Sequence, residues 1–382
     1  MLKGERPEGC SYCLKMEDTG EMSDRHYRSG EPWAMQDFDA IRQNPMDERW
    51  TPRYVEVNFN HACNFKCSYC SPQFSTTWGK EIDRYGAYPT STPHNAPEHF
   101  QGRKRPIPHR EENSYVTAFW KWWPTLYKNL KHFRMTGGEP MMDNNTYRVF
   151  QYIMDHPKKD LHLNITSNMC PPDEKLKKKY FNMLQDICMQ EKVEHVMQFV
   201  SVDSYGKQAE YIRHGLDYDR MMANVDEFLD RIPIRNSVTF IITYNNLSVT
   251  GLGALLEEIR QLRQKHSKTY QRVWFDIPLL RQPAWQQITL LPESYQEIHQ
   301  SNIEMMQKLS GPEEGYGAFR DFEIQKMQRN LAYWKKNANA SAKDKKDFYA
   351  FFNEHDRRRV TRFLNTFPEM EEFWTECKNA HE

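Results

Sequence analysis

Short apolar runs recur through the middle of the chain, and most are separated by polar stretches with helical spacing. Tyr54-Val55-Glu56-Val57-Asn58-Phe59 alternates as a strand does. Five further strand-like runs follow: Phe133 to Thr136, Leu161 to Thr166, Met197 to Val202, Ser237 to Thr243 and Val273 to Leu280. Leu252, Leu255, Leu256, Ile259 and Leu262 repeat at helical spacing with charges between them, which predicts a helix over 251–265. Residues 145–155, 173–190, 218–231 and 294–309 carry the same pattern. Units of strand and helix about 30–40 residues long imply βαβ connections and a parallel sheet, hence an α/β fold. Six units are too few for a closed eight-fold barrel, so an open or partial barrel, or a doubly wound sheet, fits.

Three regions break this rhythm and divide the chain into a 1–50 segment, a 51–290 core and a 291–382 extension. Residues 1–50 are polar, rich in Gly, Pro and charge, and show no period, so they read as an irregular segment. Residues 81–113 carry five prolines and the basic knot Arg103-Lys104-Arg105, and read as an extended insertion in the first strand–helix unit. An aromatic helix containing Phe119-Trp120-Lys121-Trp122-Trp123 follows. The C-terminal extension is helical and heavily charged, and Lys343 to Asp347 reads as a solvated face.

Composition narrows the class. Hydrophobic residues make up 38% and aromatics 13%, which argues for a folded chain despite a mean hydropathy of -0.89. Lys+Arg and Asp+Glu stand at 52 each, so no global field favours nucleic acid or an anionic membrane. No apolar run reaches the roughly 20 residues that cross a bilayer, and the N-terminus lacks the apolar core of a secretory signal. A cytoplasmic, reducing location is the expectation, with the eight cysteines as thiols or metal ligands rather than disulfides.

Five of those cysteines form two clusters, Cys10/Cys13 and Cys63/Cys67/Cys70. Thiols as close as C-x3-C-x2-C must converge on one object. Zinc is one candidate, with His61 as a fourth ligand. A [4Fe–4S] cluster held by three cysteines is another, and its unliganded iron would be left for chemistry.

C-x3-C-x2-C with Tyr69 before the last cysteine, on the loop after the first strand, resembles the hallmark of the radical S-adenosylmethionine (SAM) superfamily. Gly137-Gly138-Glu139-Pro140, after the second strand, resembles that family's second motif. The resemblance implies a partial (β/α)6 TIM-like barrel, with an irregular N-terminal Cys-containing segment and a helical C-terminal extension. It implies a [4Fe–4S] cluster on Cys63, Cys67 and Cys70, with SAM bound to the fourth iron. GGEP then contacts the SAM amino group, and two glycines permit the close backbone approach this needs. By the same resemblance Ser167 and Asn168 contact the SAM carboxylate or ribose, Ser201 and Asp203 the ribose, Arg213 the carboxylate, and Leu279 the adenine. Helix capping is the competing reading for the strand-end polar residues.

Gly9-Cys10-Ser11-Tyr12-Cys13, with Glu17, Gly20, Ser23 and Arg25, resembles the tail of the auxiliary-cluster segment (twitch or SPASM type) of some radical SAM proteins. Phe351-Phe352-x3-Asp356-Arg357-Arg358 with Phe367-Pro368-Glu369 resembles a C-terminal stretch of the same group. That segment normally brings further cysteines upstream, and none precedes Cys10. The pair therefore stands open to an auxiliary iron–sulfur cluster completed from Cys170, Cys188, Cys377 or substrate, to zinc, or to a shortened relic. Cys188, among Tyr180, Leu184 and Ile187, reads as a core thiol.

The expected activity is reductive SAM cleavage and hydrogen abstraction from a substrate, with a peptide or protein favoured. A reductant such as flavodoxin or ferredoxin is the implied partner. A nucleotide- or cofactor-modifying enzyme, with the basic knot on phosphate, is the rival within enzymes. A non-catalytic zinc-stabilised module is the rival outside them.

Overall fold

In the computed structural model, residues 4–18, 20, 22–46, 50–100, 107 and 111–382 are described. The basic knot at 103–105 lies outside them. Six strands form one parallel sheet: β1 (Tyr54–Asn58), β2 (His132–Thr136), β3 (Lys158–Ser167), β4 (Val193–Ser201), β5 (Ser237–Ile241) and β6 (Val273–Asp276). Their spatial order is their chain order. A doubly wound sheet needs a point where strand order reverses, and this one has none. Consecutive crossovers of one hand place the intervening helices on one face, as in a barrel. β1 and β6 do not pair, so the barrel is open.

Strand alternation sorts the two faces. Phe133, Met135, Leu163, Ile165, Val196, Val200, Val238, Phe240 and Phe275 are buried in the main core. The intervening positions, including Arg134, Thr136, Thr166, Phe199, Ser201 and Asp276, remain partly exposed along the inner face. An interior of that kind can admit a ligand, unlike the packed centre of a closed barrel.

The expected helices are present at 144–155, 174–189, 218–231, 252–266 and 294–308. Asp143, Asp173 and Asp217 cap three of them, accepting from Asn145, Leu176 and Arg220 backbone N–H groups. Ser167, Asn168, Ser201 and Asp203 cap none. The aromatic run lies in a Ser114–Asn129 helix, with Trp123 buried against Phe133. Among the described residues no helix is long and apolar enough to cross a membrane.

Two expectations need correction. The N-terminal segment, read as irregular, carries short helices at Ser11–Asp18, Asp24–Ser29, Pro32–Met35 and Phe38–Gln43. Elements this short leave no amphipathic period to read. They are tied down by polar pairs and by Trp33 stacking on Tyr54 at 5.4 Å. The run Lys343 to Asp347 is not simply a solvated face either. Asp347 is buried and accepts the Ser91 N–H at 2.6 Å. The insertion, too, begins with ordered structure, because a Thr76–Tyr85 helix runs into it. Tyr88 and His94 then pair backbone to backbone and close a tight loop.

Candidate active site

The cysteine loop leaves β1 at Asn58 and is pinned along its length. Ala62 O accepts the Glu139 N–H at 2.7 Å, joining it to the GGEP turn. Thr76 N–H donates to His61 O, and the Ser75 and Thr77 hydroxyls both donate to Phe65 O at 2.6 Å. Lys66 and Cys67 form a two-residue antiparallel ladder with His214 and Arg213. Trp78 Nε1 donates to Cys67 O at 2.9 Å, and Ser68 exchanges hydrogen bonds with Gln286. Asn64 bridges the Cys170 carbonyl and the Asn168 side chain, each at 2.9 Å. So many fixed backbone groups make a ligand loop organised before its ligand arrives.

GGEP is shaped by contact with that loop. Gly137 and Gly138 have φ of +77° and +47°. An added Cβ at Gly137 would run into the Asn58 side chain, and one at Gly138 into the Ala62 carbonyl oxygen. Glu139 is 2% exposed. Its carboxylate accepts the Ser167 hydroxyl at 2.8 Å, the Asn168 N–H at 2.7 Å and the Met141 N–H at 3.0 Å. Burial raises its pKa, and those hydrogen bonds oppose the rise. The polar groups of Glu139, Ser167 and Asn168 thus hold the β2 and β3 ends to the cysteine loop.

A second buried knot sits under Cys67. Asp203 accepts from Arg213 Nη2 and the Thr243 N–H at 2.9 Å each, and from the Tyr69 hydroxyl at 2.7 Å. Arg213 Nε lies 2.8 Å from the same carboxylate, and Arg213 Nη1 reaches Cys67 Sγ at 3.6 Å. Burial acts to lower the Arg213 pKa, but Asp203, Tyr69 and Cys67 hold it well above its ordinary value. Arg213 is a cation kept beside a thiol. Ser201 stays on the partly exposed inner face, and Leu279 pairs with Tyr244 just beyond β6.

The C-terminal helix Ala342–Arg359 completes the setting, a role the charge pattern alone did not disclose. Arg359 Nη1 donates to Lys66 O at 3.2 Å and its Nε lies 3.5 Å from Glu81, which also takes Lys66 Nζ at 2.6 Å. Arg358 donates to Gly86 O and Ala87 O at 2.9 Å. Asp356 accepts from the Tyr211 hydroxyl at 2.8 Å. The one available signal was the charged pair Asp356–Arg357 beside two phenylalanines.

The residues fit an iron–sulfur cluster. Three soft thiol donors lie on one immobilised loop. Burial raises the pKa of each, pushing Cys70 up to about 12, with Cys67 raising both neighbours further. Arg213 opposes the effect at Cys67. Thiols so reluctant to ionise alone are stabilised as thiolates by a bound metal. Among the described residues no three His, Cys, Asp or Glu side chains form a ready cage for one ion. Cys10 ends a 3-10 turn (Glu8–Cys10) and Cys13 lies in the short helix that follows it, both partly exposed, with Arg25 paired to Glu17 nearby. Cys170, Cys188 and Cys377 are all buried in the apolar core.

No family model matches the chain. A GTP 3',8-cyclase of Aliarcobacter butzleri (strain RM4018), a radical SAM enzyme, is 24% identical over 115 residues. That match covers 30% of this chain and 27% of the cyclase, so the chain spans about a quarter of the length of its relative. The similarity supports a radical SAM enzyme. It agrees with the open parallel barrel.

Proposed function

We propose that the protein is a radical SAM enzyme whose Cys63, Cys67 and Cys70 hold a [4Fe–4S] cluster. The observation that carries this is the joining of thiol loop and GGEP turn at the C-terminal ends of β1 and β2, through the 2.7 Å Glu139 N–H to Ala62 O bond. A bound cluster supplies the electron that splits SAM into methionine and a hydrogen-abstracting 5′-deoxyadenosyl radical. The chain's own part is positioning and exclusion of water. Gly137 and Gly138 let the SAM amino group approach backbone, Ser201 faces the inner cavity toward the ribose, and Leu279 offers an apolar edge to adenine. Arg213 fixes the Cys67 side of the loop, and Tyr69 and Asp203 hold Arg213. Anaerobic reconstitution followed by reduction should release methionine and 5′-deoxyadenosine, and Cys67→Ala should release neither.

Cys10 and Cys13 belong to a twitch-type segment in this reading. Iron analysis tests it: an auxiliary [4Fe–4S] cluster would raise the count from about four to about eight irons per chain. We favour a peptidyl substrate. A nucleotide is the second reading, favoured by the name of the cyclase relative, and GTP turnover assays separate the two.

A further inference from the structure

We propose that the cavity of about 400 Å³ beside Cys70 binds the cationic end of the substrate, an alkylammonium or guanidinium group carried next to a carbonyl. The inference rests on the radical SAM reading, because it takes a cavity on the cluster loop as the substrate's place. A volume of that size suits a small ligand or one residue of a longer one.

Four segments separate in the chain enclose it, one of them the insertion at residues 92–95. The cysteine loop contributes Tyr69 and Cys70, the turn after β6 contributes Trp285, and the C-terminal helix contributes Lys343, Asp344 and Asp347. Asp347 is the unusual member. It is 2% exposed, yet its one hydrogen bond is the Ser91 N–H to Oδ1, and among the described residues no cation pairs with it. Other buried carboxylates here are better satisfied. Glu81 meets Lys66, Asp203 meets Arg213, Glu323 meets Arg263, and Glu139 takes three hydrogen bonds. A buried carboxylate with one hydrogen bond has acceptor capacity left over, and a cation entering the cavity would fill it.

Trp285 points to the same class of ligand independently. It is 8% exposed, and its buried indole Nε1 has no acceptor. His94 packs edge-on against its ring at 5.1 Å and helps fix it. An indole offers a face for a cation and an N–H for a carbonyl, a pairing found in an amino acid or peptide residue. Lys343 can offset one of the two carboxylates, which leaves the wall negative. Such a wall opposes the phosphates of a nucleotide.

Calorimetric titration of the reconstituted protein tests this with three probes: N-acetyl-lysinamide, N-acetyl-argininamide and the uncharged N-acetyl-norleucinamide. Saturable binding of at least one cationic probe, with norleucinamide at least about tenfold weaker, is expected. Asp347→Asn keeps an acceptor for the Ser91 N–H and should weaken the cationic probe about tenfold or more while leaving norleucinamide unchanged. If that variant proves unstable, half-buried Asp344→Asn reads the same charge. A lysine-bearing heptapeptide distinguishes the sources: tighter binding than the single residue marks a peptide, and equal binding a free amine. Equal affinity for norleucinamide, or no loss in the Asn variants, would overturn the inference. Iron content and SAM cleavage are measured on the same preparations. Cation binding by a protein that holds no iron would sink the radical reading alone. SAM cleavage without charge-selective binding would sink this inference alone.

Discussion

The chain carries two close-spaced cysteine groups, and their surroundings could hardly differ more. Cys63, Cys67 and Cys70 lie on a loop bonded to two strand ends, three helices and the C-terminal extension. Cys10 and Cys13 lie on a short 3-10 turn and the short helix after it, both partly exposed and steadied by nearby ion pairs such as Arg6–Asp18 and Arg25–Glu17. Hydrogen bonds from Arg25 and Ser23 hold the Glu17 carboxyl down at about 2, but the Arg25 side chain is 43% exposed, and a pair with one partner so open to water contributes little. Similar spacing therefore does not mean similar preorganisation. The first group is held in place by its surroundings, whereas the second is held by little beyond its own segment.

Substitutions can break or sharpen this contrast. The largest loss of cluster should come from Gly138→Ala. It forces a side chain at positive φ against the Ala62 carbonyl, at a cost of about 2–3 kcal/mol or more. Cluster loading, read as absorbance near ~400 nm, should fall sharply with it.

Glu81→Gln comes next in breadth of effect. It strips the counter-charge from partly buried Lys66 and buried Arg359 and should cost about 3–5 kcal/mol, measured by urea unfolding. Burial alone would raise the Glu81 pKa, but Arg359, Lys66 and Tyr88 bring it down to about 2. Its folded pKa lies below the unfolded one, so its contribution is complete above the ordinary carboxylate range. That contribution is lost as pH falls toward about 2, and the Gln variant should lack this part of the acid dependence.

Arg213→Lys is a smaller and more specific change. Lysine keeps the charge but loses the two-pronged grip on Asp203 and the reach to Cys67 Sγ. The reduction potential of the cluster should shift while iron content holds, and electrochemical titration reads the shift. The smallest effect belongs to the joint Cys10→Ala and Cys13→Ala variant. Its Tm should match that of the parent, and the absorbance from the first cluster should persist. Complete loss of that absorbance would mean the two regions are one site.

Much of the barrel was legible because strands and helices there bury one face each, so periods of two and 3.6 survive in the chain. Leu252 to Leu262 is the clearest case, and the helix closes at His266. The thiol triad and GGEP were legible because spacing and glycine carry backbone meaning. The polar residues at strand ends were visible too, but their partners were not: nothing local says that Ser167 and Asn168 serve Glu139. Arg359, Asp347 and Trp285 were hidden for a related reason. Each acts across hundreds of residues of chain, and a charge inside a charged run looks solvated until its neighbours are known.

The central claim is a three-thiolate cluster with one iron open to SAM. Electron paramagnetic resonance of the reconstituted, reduced protein, recorded before and after SAM is added, tests it most directly. The account predicts a [4Fe–4S]⁺ signal that changes on SAM addition and is absent in Cys67→Ala. A protein that holds one zinc and no iron, or a cluster signal indifferent to SAM, would contradict it.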